Sequence, residues 1–220
     1  MVASYFDVDG TLTRTNLVQP LVFYMLNQQN PLRALSRVTR AALSAPALFA
    51  SEQVDRGTFN ELLFRGYAGM SEDRLLELAD EAFSSIVRPG LYAEGLSLVK
   101  RAKQAGHRVV LISGSPDFLL EKLARMVDAD DVIGNRLEFR DGKATGRVLR
   151  PLVAGPEKAK LIKDHARKHG FDLDGCAAYS DSMSDVPMLS VVGRPAAVNP
   201  DFRLKMLART HRWPVLELAS

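Results

Sequence analysis

The sequence predicts an α/β fold: a parallel sheet flanked by helices, with an all-helical segment inserted just after the first strand. Three observations carry this reading. Val2 to Phe6 is a short apolar strand, and from Asn16 to about Val87 the pattern is almost wholly helical. After Arg88-Pro89-Gly90, helical and strand patterns alternate, the mark of parallel strands joined by crossover helices.

Each element follows from a local signal. Leu17 to Leu26 is an apolar helix, and Arg33, Arg37 and Arg40 beside Leu35, Val38 and Leu43 describe a basic amphipathic one. Its basic face is read as solvated rather than lipid-bound. Thr58 with Glu61 has the spacing of a capping box, and Ser71 before Glu72-Asp73 joins an N-cap to acidic side chains at a positive helix end. Leu75, Leu78, Ala79, Ala82 and Ile86 then form one buried face. Ala93 to Ala105 is a helix ended by Gly106, and Arg108 to Ile112 is a strand. Ser115-Pro116 opens a helix with Leu120, Leu123, Ala124 and Val127 on one side. Asp131 to Gly134 is the next strand, and Arg136 to Leu149 a hairpin turning at Asp141-Gly142. Pro156 to His169 is a helix, followed by strands at Cys176 to Tyr179, Ala196 to Val198 and Pro214 to Leu218. His165 and His169, with no Glu beside the first, read as a solvated polar face, and Cys176 as core.

Composition bounds the class. A chain of 220 residues with 46% apolar and 25% charged residues has room for one large domain or one domain carrying an insertion. Its 29 basic and 26 acidic residues leave +3, too small a surplus to imply a nucleic-acid partner. A single cysteine allows no intrachain disulfide. The first residues lack the basic start of a secretory signal, and neither Leu17 to Leu26 nor Ala41 to Ala50 reaches the about 20 apolar residues of a membrane span. The expectation is a cytoplasmic protein without a membrane span, monomeric or homodimeric.

The chemistry concentrates in four segments. Asp7-Val8-Asp9-Gly10-Thr11 places two carboxylates one residue apart where the first strand ends. Carboxylates so close repel, and such pairs are held by a cation or divide acid and base roles. An EF-hand loop also begins Asp-x-Asp, but its sixth and twelfth positions need Gly and Glu, and here they are Leu12 and Val18. Downstream, Ser113-Gly114 follows an apolar strand and offers a hydroxyl and backbone N–H groups to an anion. Lys158 lies in the first turn of its helix, and Asp181 follows another apolar strand with Asp185 one helical turn later. Carboxylates, a serine and a lysine converging at one sheet edge suit a magnesium ion and a phosphoryl group.

In this order, Asp7/Asp9/Thr11, Ser113, Lys158 and Asp181/Asp185 resemble the four motifs of the haloacid dehalogenase superfamily. The likeness covers the whole chain. The helical insertion resembles the cap of the phosphoserine-phosphatase-like branch, subfamily IB. That resemblance implies a Rossmann-like core of residues 1–14 and 90–220 with a cap at 15–89.

It further implies that Asp7 is the nucleophile, forming an aspartyl-phosphate. Asp9 would protonate the leaving alcohol and then activate water. Asp7, the Asp9 carbonyl and Asp181 would hold Mg2+. Thr11, Ser113, Gly114 and Lys158 would bind phosphate, with Asp185 in support. The substrate would be a small phosphorylated metabolite. Phosphoserine-specific members carry Glu nine residues after the nucleophile, where this chain has Asn16, so phosphoserine itself is not expected. Arg65 is the cap cation placed to meet a second anionic group. Two alternatives stay open: a phosphotransferase or mutase using the same site, and a non-catalytic regulatory or membrane-surface binding protein.

Overall fold

Ala3–Phe6 forms β1 with all four residues buried, as a central parallel strand covered on both faces requires. Its Ser4 side chain is satisfied by His107, with Oγ 2.8 Å from Nδ1. The computed structural model describes residues 1–27 and 55–219. The basic stretch around Arg33, Arg37 and Arg40 and the segment Ala41 to Ala50 lie outside the described residues.

After β1 come α1 (Val18–Leu26), α2 (Arg56–Phe64), α3 (Glu72–Glu77) and α4 (Ala79–Ala82). Then follow α5 (Ala93–Gln104), β2 (Arg108–Pro116), α6 (Asp117–Val127), β3 (Asp131–Arg140) and β4 (Lys143–Leu149). The last elements are α7 (Pro156–His169), β5 (Ala177–Ser180), α8 (Val186–Leu189), β6 (Arg194–Val198), α9 (Phe202–Thr210) and β7 (Val215–Leu216). The seven strands run β4-β3-β2-β1-β5-β6-β7, all parallel except the β3–β4 hairpin. The chain winds outward from β1 through β2 and β3, then returns to β5 on the other side. The order reverses beside β1, and the carboxyl ends there form the crevice where open α/β sheets bind ligands.

Several elements differ from expectation. The helix of residues 56–64 is capped by Asp55, whose carboxylate accepts from the Thr58 N–H at 2.7 Å, so Thr58 is its third residue and not the cap. A carboxylate three residues upstream outcompetes a hydroxyl for that N–H. Ser71 does precede α3, but its side chain makes no capping bond. The run after it is broken: α3, α4 and a wide π-type turn at Phe83–Val87 replace one continuous helix, and Ile86 is only half-buried. β2 continues past Ile112 to Pro116 with a register irregularity against β3, and α6 begins only at Asp117. The hairpin turns at Asp141-Gly142 as expected, with both residues at positive φ, 48° and 68°, the requirement of a tight two-residue turn.

Three apolar clusters hold this arrangement. On one face of the sheet Tyr5 and Val110 pack with Ile162 of α7, Met188 of α8 and Leu204 of α9. On the other Phe6 and Leu111 pack with Leu98 of α5 and Leu123 of α6. The third joins the inserted segment to the sheet: Leu21, Tyr24, Phe59, Phe64 and Leu75 pack with Phe118, Leu137 and Ala144. Each such buried side chain contributes about 1.5–3 kcal/mol. Among the described residues no helix is long and apolar enough to cross a membrane.

Candidate active site

Asp7 is the first residue beyond β1, Asp181 the first beyond β5, and Ser113 lies near the end of β2. Because β1 sits between β2 and β5, these strand ends meet. They open into a cavity of about 370 Å³ lined also by Asp9, Gly114, Lys158 and Asp185.

The turn after β1 makes the approach possible. Gly10 has φ +84°, and a Cβ there would lie 2.2 Å from Asp181 Oδ2, so both conformation and space require glycine. Asp7 is 5% exposed. Its Oδ1 accepts from Lys158 Nζ at 2.8 Å, and the Thr11 hydroxyl lies 3.3 Å from its Oδ2 and 3.2 Å from Asp181 Oδ1. Lys158 also donates to Asp185 Oδ2 at 2.8 Å, which further accepts from Ser180 Oγ at 2.7 Å. Asp185 thus meets the lysine rather than open solvent.

Asp9 faces a different set. Its Oδ2 accepts from both Ser113 and Ser115, each at 2.8 Å. Ser115, read from the sequence only as a helix start, belongs to the site, and its period-two spacing from Ser113 along an extended strand was the available signal. Gly114 is held by buried Asn135, whose amide donates to the Gly114 carbonyl at 2.8 Å and accepts from the Val153 N–H at 2.7 Å. No local pattern marks Asn135.

Burial pushes the Asp7 carboxyl well above its usual range, opposed by Lys158 and reinforced by Asp185 and Asp181. Burial likewise raises Asp9, against the serine hydrogen bonds. Asp181 is pushed up to about 6 by burial and by Asp185. Burial works against the Lys158 charge, but Asp185 and Asp7 outweigh it and hold the ammonium firmly protonated. Four carboxylates therefore surround a single buried ammonium, a surplus of negative charge suited to a hard divalent cation.

The inserted segment supplies the opposite wall: Thr15, Asn16, Leu17, Val18, Arg56, Phe59 and Asn60. Arg65, expected to meet a second anionic group, is exposed, lies against Gly146 of β4 and does not line the cavity, whereas Arg56 of the same inserted segment does. Arg56 sits over the Phe59 ring at 5.8 Å, and its charge is among those lowering Asp9. The nine-residue offset between them carries the two arginines to different sides of the segment. Asn16 lines the cavity rim, and its Oδ1 accepts from the N–H groups of Val18 at 3.0 Å and Gln19 at 3.2 Å, capping α1. Asn60 is 2% exposed, its amide reaches the Val153 carbonyl at 3.4 Å, and its Oδ1 has no hydrogen-bond partner.

Comparison with known proteins agrees with this architecture. Residues 5–190 match the family described as haloacid dehalogenase-like hydrolase. The chain is 34% identical to a Streptomyces azureus protein named for inhibition of morphological differentiation, over 98% of this chain and 78% of that one. It is 36% identical to phosphoserine phosphatase SerB1 of Mycobacterium tuberculosis, over 97% of this chain and 70% of the other. A crystal structure of a Bordetella pertussis protein of unknown function shares the fold with a TM-score of 0.80 at 24% identity, covering 97% of both chains. The chain belongs to the haloacid dehalogenase-like hydrolases and is phosphoserine-phosphatase-like.

Proposed function

We propose that this hydrolase is a magnesium-dependent phosphatase that cleaves a small phosphomonoester through an aspartyl-phosphate on Asp7. The observation that carries it is the pairing of a buried carboxylate, Asp7, with Lys158 in the same cavity as a second carboxylate, Asp9, held separately by two serines. In this reading residues 15–89 form a cap over a core of residues 1–14 and 90–220. The cavity draws its lining from both.

An Asp7 oxygen attacks phosphorus as the bond to the leaving oxygen breaks, and Asp9 gives that oxygen its proton. The elevated Asp9 carboxyl favours the protonated form this step needs. Asp9 then takes a proton from water as the water oxygen attacks phosphorus, releasing phosphate and restoring Asp7. Lys158, Ser113 and the Gly114 N–H bind the phosphoryl oxygens, and Asp185 positions the lysine. Asp7, the Asp9 backbone carbonyl and Asp181 would hold Mg2+, whose charge would neutralise nucleophile and phosphate together. The surplus of buried carboxylates and the glycine-only approach of residue 10 to Asp181 fit such an ion.

The substrate is a small monoester without an ammonium group near Asn16. The amide oxygen there is committed to capping α1 and supplies no carboxylate to pair with an amine. Leu17, Val18 and Phe59 favour a partly apolar leaving group, and Arg56 a second anion near its edge.

The test is a panel of phosphomonoesters with Mg2+, comparing the parent chain with Asp7→Asn. Turnover falls at least about a thousandfold in the variant if Asp7 is the nucleophile. Near-normal hydrolysis by Asp7→Asn overturns the reading.

A further inference from the structure

A cluster of side chains of metal-ligating type lies away from the cavity. Asp131, His165 and His169 each offer a donor atom, and the three atoms lie within 4.8 Å of one another. His165 and His169 are one turn apart on α7, with ring centroids 4.5 Å apart, and Asp131 opens β3. Lys158, in the first turn of the same helix, faces the cavity. At about 1.5 Å per residue, His165 and His169 sit about 10 Å and about 16 Å further along the axis.

The histidines are not the solvated pair their sequence suggested. His165 packs edge-on to Tyr5, with centroids 5.7 Å apart, and His169 stacks on Phe171 at 5.4 Å. His165 Nδ1 lies 3.1 Å from the Tyr5 hydroxyl, which fixes the ring and leaves Nε2 for another partner. That Nε2 is buried without a hydrogen-bond partner, although Asp131 Oδ2 is only 3.3 Å away, so the pair is close but not aligned for one. Burial lowers the His165 pKa and Arg108 holds Asp131 low, giving the neutral imidazole and ionised carboxylate that metal ligands need. Tyr5 supplies the outer contact that orients a metal-binding imidazole.

We infer that Asp131, His165 and His169 form a second cation site, for a divalent metal that favours imidazole, such as Ni2+ or Zn2+, distinct from the carboxylate cavity. Two histidines and one carboxylate leave an open coordination position and select late first-row metals over Mg2+. Arg108 competes for the same carboxylate, through Nε to Oδ2 and through Nη2 to Oδ1 at 3.1 Å. Each carboxylate oxygen has two acceptor sites, so Asp131 keeps capacity for a metal. The nearby guanidinium makes the site weaker than a closed four-ligand structural one. Bound metal would clamp the far end of α7 to β3, bracing the helix that carries Lys158.

The experiment uses the untagged full chain, stripped with chelator and returned to excess Mg2+, which occupies hard carboxylate sites. Ni2+ is then titrated by calorimetry, and the melting temperature followed. One equivalent binds and the melting temperature rises. His169→Asn weakens binding by about tenfold or more, at least the loss expected when even an outer contact to a metal ligand is removed. His165→Gln does the same, and Asp181→Asn leaves the binding intact. Parent-like Ni2+ affinity in His169→Asn, loss of binding in Asp181→Asn, or no binding to the parent chain each overturns the proposal. None of these readouts depends on phosphatase turnover, so the two proposals fail separately.

Discussion

The two walls of the cavity differ in how completely their polar groups are paired. The core wall is polar, and its partners are satisfied: Asp7 by Lys158, Asp185 by Lys158 and Ser180, Asp9 by Ser113 and Ser115. The wall supplied by the inserted segment mixes apolar Leu17, Val18 and Phe59 with polar Thr15, Asn16, Arg56 and Asn60, and Asn60 carries a buried, unpartnered oxygen. A site that must perform one reaction on many esters gains from a rigid, preorganised phosphate pocket. Selectivity is better left to a wall whose polar groups await the substrate. Under the proposed function the core wall would set the reaction type and the opposite wall the substrate.

The largest effect that would break this contrast is at Lys158. Lys158→Met leaves Asp7 and Asp185 buried without their shared cation. Stability should fall by roughly 3–5 kcal/mol. Turnover should fall by at least about a hundredfold. Chemical denaturation and steady-state kinetics read the two, and an unchanged denaturation midpoint would mean the core wall is not held by charge.

A smaller effect is expected at Asp181. Its folded pKa, about 6, lies above the ordinary 3.8, so the folded state binds the proton more tightly than the unfolded state. With chelator present, stability should therefore decline as pH rises from about 4 to about 6, by on the order of 1–3 kcal/mol for this group. Asp181→Asn should flatten part of that decline, the rest coming from Asp7 and Asp9, which shift the same way. Mg2+ should restore stability above pH 6 in the parent chain. Melting curves across this range, with identical slopes for parent and variant, would show that Asp181 does not carry the surplus charge.

The smallest effect sharpens the opposite wall. For an ester bearing a second anionic group, Arg56→Ala should raise KM by roughly tenfold, the worth of one charge-assisted hydrogen bond. Arg65→Ala should stay within about twofold, as an exposed residue outside the cavity. Equal KM values for both variants would place the specificity wall elsewhere.

Much of the fold was legible because its signals are local. Alternating apolar strands, Pro156 at a helix start and Asp141-Gly142 in a turn act over a few residues. The helix limits that failed depended on competition: Asp55 against Thr58 for one N–H, and packing that broke the run after Ser71 into short pieces.

By itself, the sequence determined the order of elements and the residues at strand ends, Asp7, Ser113 and Asp181, because a parallel sheet brings its carboxyl ends to one edge wherever the connecting helices lie. Tertiary structure alone decided which arginine of the inserted segment meets the cavity, that Ser115 shares Asp9 with Ser113, and that Asn135 ties Gly114 to Val153. It also turned His165 of α7 toward Asp131 of β3. These depend on which face of one element packs against another distant in sequence, a choice made by burial of the whole core and not by spacing along the chain.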